Sequence, residues 1–199
     1  MRKIVLASTS PYREQLLRQL DLPFVAAAPE YNEEIDSQVA PALLVRHLAQ
    51  GKARSLAERY PDALIIGADQ VFADQRGRPL GKPADLQAAF QQLQQMSGRT
   101  HCFYTGLALF DSGSGQIQTD FATFSVTFRT LSHEQIRRYL QREQPLDCAG
   151  SFKVEGLGIA LMERMAGDDY TALIGLPLIK LVTMLAEAGV DTLTAAKIE

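Results

Sequence analysis

Cysteine is scarce in this 199-residue chain: Cys102 and Cys148 are too few for a disulfide framework and lack the CxxC or Cys/His spacing of a zinc site. Both read as reduced core or loop thiols, which fits a cytoplasmic protein. Histidine is also sparse. His47, His101 and His133 lie far apart with no HExxH, so a histidine-built zinc site has weak support. There is no basic excess: 20 Lys and Arg against 23 Asp and Glu leave a net charge of -3, which speaks against nucleic acid as the main partner. No apolar run approaches the ~20 residues that a bilayer span needs, so neither membrane insertion nor export is expected. A GxxxxGK[ST] loop is missing too, which disfavours a P-loop kinase or motor.

What is present, 46% hydrophobic and 22% charged residues, suits one globular domain or two closely joined lobes. Turn clusters at intervals that suit alternating strands and helices predict an α/β fold. Lys3 to Ala7 reads as a buried strand, followed by the turn Ser8-Thr9-Ser10 and a helix with Ser10 as cap and Pro11 as first residue. Phe24 to Ala28 is a second strand, Pro41 to about Tyr60 a helix, Leu64 to Ala68 a buried strand and Asp85 to Met96 a polar helix. Tyr104 to Phe110 and Phe121 to Phe128 suggest a hairpin across Asp111-Ser-Gly-Ser-Gly. Ser132 and Gln135 make a capping box for a helix to Gln141. Gly158 to Arg164 reads as a strand, and Pro177 to Ala188 as a closing helix stopped by Gly189.

Chemistry is suggested where polar residues break these patterns. Arg13 puts a cation in the first turn of a helix, against the dipole; an anion held by the Ser-rich turn, the helix N-terminus and the guanidinium would explain it, and so would a solvated arginine. Lys52 falls on the apolar stripe of Leu44, Leu48 and Leu56, either snorkelling or contacting phosphate. On that placement, Lys52→Met is expected to keep or raise stability while turnover collapses. Asp69 interrupts the run LIIGA, as a turn residue or as a ligand at the C-terminal end of a strand. Lys82 precedes a helix that Pro83 can open, and Glu30, Glu33, Glu34 and Asp36 form an acidic loop whose oxygens suit Mg2+ or Mn2+ if they are more than solvated. Taken together, cations, a helix N-terminus and isolated carboxylates suit a metal-dependent reaction on a phosphorylated substrate.

Ser8-Thr9-Ser10-Pro11-Tyr12-Arg13, Gly67-Ala68-Asp69-Gln70-Val71 and Gly81-Lys82-Pro83 resemble the signatures of the Maf family of nucleotide pyrophosphatases. The likeness spans Lys3 to about Gly189, a single domain over 1–189 with a tail, 190–199, that carries nothing diagnostic. It implies a mixed sheet flanked by helices, of the Maf and Ham1 kind, with two lobes and a central cleft. By position it also implies Ser8, Arg13, Lys52 and Lys82 as phosphate contacts, Asp69 as proton acceptor, and Glu33, with Asp69, as ligand of a divalent cation. The family often has Asp-Glu where this chain has Asn32-Glu33, so Glu33 carries the metal assignment. Tyr12, Gln70 and the segment Ser151 to Gly156, with Glu155, resemble the branch that hydrolyses 7-methyl-GTP to 7-methyl-GMP and pyrophosphate. An aromatic face and a carboxylate would suit the cationic methylated guanine. The alternatives are a pyrophosphatase of dTTP, UTP or another noncanonical nucleotide, and a nucleotide-sensing regulator of septum formation. The implied partner is a nucleoside triphosphate; monomer and homodimer both stay open.

Overall fold

The computed structural model describes residues 2–32 and 39–194. Its sheet is mixed and has six strands in the order β2-β1-β3-β4-β5-β6. These are β1 (Lys3–Ala7), β2 (Phe24–Ala27), β3 (Ala63–Ala73), β4 (Thr100–Asp111), β5 (Ile117–Phe128) and β6 (Met162–Ala166). The main helices are α1 (Pro11–Arg18), α2 (Pro41–Arg54), α3 (Leu86–Met96), α4 (His133–Glu143), α5 (Tyr170–Ile174) and α6 (Leu178–Glu187). β1 runs parallel to both neighbours, Leu6 pairing with Ala26 and with Ile66, whereas β6 is antiparallel to β5. Parallel neighbours need crossovers, which is why a helix separates β1 from β2 and β2 from β3 in the chain.

The chain divides into two compact units. One holds the described residues up to Gln70, Tyr104–Thr123 and those from Asp169 onward. β1 and the first part of β3 are apolar on both faces. Ile4, Leu6, Leu64 and Ile66 pack with Leu16, Leu17, Leu181 and Leu185, while the alternate residues Val5, Ala7, Ala63 and Ile65 pack with Ala49, Ala53 and Leu56 of α2 and the turn after it. Burial on both faces makes these strands read as continuous apolar runs. α2 lies very close to the sheet: a Cβ on Gly67 would stand 2.1 Å from the Ala49 carbonyl oxygen, and one on Gly106 2.1 Å from that of Val45.

The other unit comprises Val71–Phe103 and Phe124–Asp168. Its core includes Phe72, Phe103, Phe128 and Phe152, with ring centroids 4.4 Å apart for Phe72 and Phe103 and 5.2 Å for Phe128 and Phe152. His101 sits against Phe72 and Phe128 in the same cluster.

Several elements differ from the pattern-based expectation. β3 runs on to Ala73, so Asp69 lies inside a strand and not beyond its end. The segment Leu157–Leu161 is a 3-10 turn, and only Met162–Ala166 is strand. Gly158 is close to the backbone there, since a Cβ on it would meet the Lys153 carbonyl oxygen at 2.1 Å. α2 ends at Arg54, Pro177 caps α6 from outside, and α5 was unforeseen. Among the described residues no helix is long and apolar enough to cross a membrane.

Candidate active site

The first unit holds a buried ion pair between Lys52 of α2 and Asp69 of β3. Both residues are only 7% exposed. Lys52 occupies the apolar face of α2 because its neighbours Leu48 and Ala49 face the sheet, and Gly67, two residues before Asp69, lets the helix come near enough for the ammonium to reach the carboxylate. A charged group so deprived of water needs an opposite charge, and each here supplies the other's.

The turn between β1 and α1 lies in the same unit. Ser8 is buried, and its hydroxyl accepts from the Ser10 N–H at 3.1 Å, while the Ser10 hydroxyl caps α1 by accepting from the Arg13 N–H at 3.4 Å. Arg13 is half-buried, and its Nε donates to the Gly175 carbonyl at 2.9 Å. Gly175 ends α5 with φ of 121°, a conformation that glycine adopts without strain. Arg13 is therefore oriented by a residue from the far end of the chain.

Gln70, next to Asp69, is tied to the same helix. Its amide nitrogen lies 2.8 Å from the Ala172 carbonyl, 3.0 Å from that of Leu173 and 3.0 Å from the Thr105 hydroxyl, which itself donates to Ala172. Asp169 organises this region. Its carboxylate accepts from the Thr171 N–H and hydroxyl and from the Ile179 N–H, and the Thr171 hydroxyl accepts from the Leu178 N–H. Asp169 and Thr171 are buried and were missed in the sequence, although Asp-x-Thr ahead of an apolar stretch is a capping pattern.

Tyr12 lies partly exposed on α1 in this unit, 38% accessible. Lys82 and Glu155 belong to the second unit and are exposed. Lys82 stands in a segment that is neither helix nor strand; α3 starts only at Leu86, capped by Asp85, so Pro83 does not open the helix. Glu155 lies in the loop before the 3-10 turn, where a Cβ on Gly156 would meet the Glu143 carboxylate at 2.6 Å and Glu143 accepts from the Leu157 N–H at 2.9 Å. Glu33 lies outside the described residues. Among the described residues no three His, Cys, Asp or Glu side chains are grouped to hold a metal.

Comparison with known proteins adds to this geometry. The family described as Maf-like protein matches residues 3–188. A protein of Syntrophotalea carbinolica named 7-methyl-GTP pyrophosphatase is 65% identical over 193 residues, 97% of this chain and 98% of its own. One of the same name from Pseudomonas aeruginosa is 50% identical over 191 residues, 96% of this chain and 99% of its own. Among solved structures, the Staphylococcus aureus Ham1 protein aligns with 94% of this chain and 100% of its own at 12% identity and a TM-score of 0.47. A nucleoside-triphosphatase / dITP/XTP pyrophosphatase from Mycobacterium abscessus aligns with 73% of this chain and 97% of its own at 17% identity and a TM-score of 0.41. Since the family match and both named relatives extend over nearly the whole chain, the protein belongs to the Maf family.

Proposed function

We propose that this chain hydrolyses 7-methyl-GTP to 7-methyl-GMP and pyrophosphate. The observation that carries the substrate assignment is the 65% identity, end to end, with a protein named for that activity. The buried Lys52–Asp69 pair supplies the chemistry: a positioned carboxylate to take the proton of an attacking water, and an ammonium to hold that carboxylate in place. Ser8, Arg13, Lys52 and Lys82 would contact the phosphates. Arg13 is suited to this because Gly175 fixes its Nε side and thereby the plane of the guanidinium.

A divalent cation fits the donor chemistry. Two carboxylates, Asp69 and Glu33, offer hard oxygen ligands of the kind that Mg2+ or Mn2+ takes together with substrate phosphate oxygens and water. When bound there, the ion would offset phosphate charge. Tyr12 and Glu155 would select the methylated base through its positive charge, and Gln70 would act on selectivity by holding α5 in place.

Pyrophosphate release from 7-methyl-GTP, GTP, dTTP and UTP, with Mg2+ or Mn2+ and without, tests the proposal. The highest kcat/KM is expected with 7-methyl-GTP. A preference for dTTP or UTP would reassign the substrate, and no release from any of them would leave a nucleotide-sensing regulator as the better reading. Glu155→Gln should lower the ratio of efficiencies for 7-methyl-GTP over GTP by about ten- to a hundredfold, as expected for loss of a charged hydrogen bond. Equal loss on both nucleotides would remove Glu155 from base selection.

A further inference from the structure

Between the bridge from Ala73 to Pro79 and the start of α3 at Leu86 the chain is neither helix nor strand, and Lys82 stands in the middle of this stretch with an exposed side chain. A cation on a loop meets a phosphate at a fixed place only if its backbone is held. Both neighbours of Lys82 are held. Pro83 is buried, and the Gly81 carbonyl accepts from the Gly150 N–H at 3.3 Å and from the Gln92 side-chain amide at 3.2 Å. Gly81, Lys82, Gln92 and Gly150 all belong to the second unit.

Gln92 reaches back to this loop from α3, and its amide is oriented from the other end. The Ser151 hydroxyl donates to Gln92 Oε1 at 2.5 Å, which turns the NH2 group toward the Gly81 carbonyl; the reverse orientation would set two carbonyl oxygens against each other. Ser151 is fully buried and has φ of 61°, a left-handed conformation that is costly for any residue but glycine. What serine has there and glycine lacks is the hydroxyl, and the hydroxyl bonds to Gln92. The turn that carries it stands on the aromatic core, since a Cβ on Gly150, whose φ is 75°, would lie 2.5 Å from the Phe72 ring. A rigid turn, a hydroxyl, an amide and a carbonyl thus lead in a chain to the residue before Lys82.

We propose that Gln92 is a positioning residue for Lys82: Ser151 fixes its amide, and the amide fixes the Gly81 carbonyl and with it the backbone from which Lys82 extends. This rests on the reading of Lys82 as a phosphate contact. A cycle of variants in the full-length protein tests it, with kcat and KM measured for pyrophosphate release from whichever nucleotide of the panel above is turned over best. Gln92→Met, which keeps the volume and removes the amide, should lower kcat/KM about three- to tenfold, and Lys82→Met about ten- to a hundredfold, as loss of a neutral and of a charged hydrogen bond implies. The loss in Gln92→Met should divide between KM and kcat in the same proportion as in Lys82→Met. Added to Lys82→Met, Gln92→Met should change kcat/KM less than about twofold, because an effect that passes through the ammonium ends with it. Ser151→Gly, which removes the hydroxyl at a φ that glycine adopts freely, should repeat this pattern. A loss of the same size with and without Lys82, or no loss in Gln92→Met and Ser151→Gly while Lys82→Met is impaired, would overturn the positioning role alone. Full activity of Lys82→Met would take away the phosphate contact itself, and the positioning role with it.

Discussion

Burial of Lys52 and Asp69 together makes each the other's substitute for water, and this alters what a substitution at Lys52 should do. The helical stripe suggests that methionine would be tolerated, because it fills the same volume without the charge. With Asp69 known to be a partner, Lys52→Met takes the ammonium away from a buried carboxylate, and the expected outcome is destabilisation by about 3 kcal/mol. Adding Asp69→Asn should recover part of the loss, and the coupling can be read from urea unfolding of the two single variants and the double variant. Additive losses would show that the pair is not energetically linked. Turnover should fall in all three variants, by about 10²–10⁴-fold for Asp69→Asn as for loss of a general base.

The closeness of α2 to the sheet is what brings that pair together, and it depends on glycine. A methyl group at Gly67 would meet the Ala49 carbonyl oxygen at 2.1 Å and the Ala53 nitrogen at 2.8 Å, both backbone atoms that cannot turn aside. Gly67→Ala should therefore push α2 outward, lowering stability by about 1–3 kcal/mol or more, as overpacking does, and withdrawing Lys52 from Asp69. Thermal unfolding and turnover should fall together. An unchanged melting temperature with full activity would show that α2 is not held by this contact. α5 and the start of α6 play a comparable part on the other side of the unit's sequence, where Asp169 orders the chain that presents Gly175 to Arg13 and Ala172 to Gln70.

Stability of the folded chain should also vary with pH through Asp111, at the end of β4. Arg2 donates to this carboxylate through both terminal nitrogens, and the N–H groups of Gly113 and Ser114 add to it at 2.9 and 3.1 Å. The Arg2 guanidinium holds the Asp111 carboxyl well below the usual carboxylate range. A depressed folded-state value stabilises the protein in full above the unfolded value of 3.8, and that contribution is lost progressively as pH falls from there towards the folded-state value. Asp111→Asn should destabilise by about 1–2 kcal/mol near neutral pH, allowing for partial exposure of the pair. By about pH 2.5 the difference in urea midpoint should shrink. A constant difference at both pH values would mean that the carboxylate's charge is not what matters. His101 acts in the same sense: burial lowers its proton affinity from 6.5, so its neutral form favours folding at higher pH.

Features that depend on neighbouring residues were legible from sequence alone. The Ser10 cap and Pro11 opening of α1, the Ser132–Gln135 capping box and the apolar runs of β1 and β3 all rest on contacts within a few residues, where spacing and side-chain type decide the outcome. The place of Lys52 on its stripe was legible for the same reason. Its partner was not, although Asp69 is only 17 residues away, because a carboxylate after LIIGA looks like the end of a strand until the ladder is seen to continue to Ala73. Gln70 meets α5 across 102 residues and Arg13 meets Gly175 across 162. Such contacts follow from which strands become neighbours and how closely a helix can lie on them, and no local pattern encodes that choice. Tertiary packing alone therefore decided which isolated polar residues were paired, which were buried, and which glycines had to remain glycine.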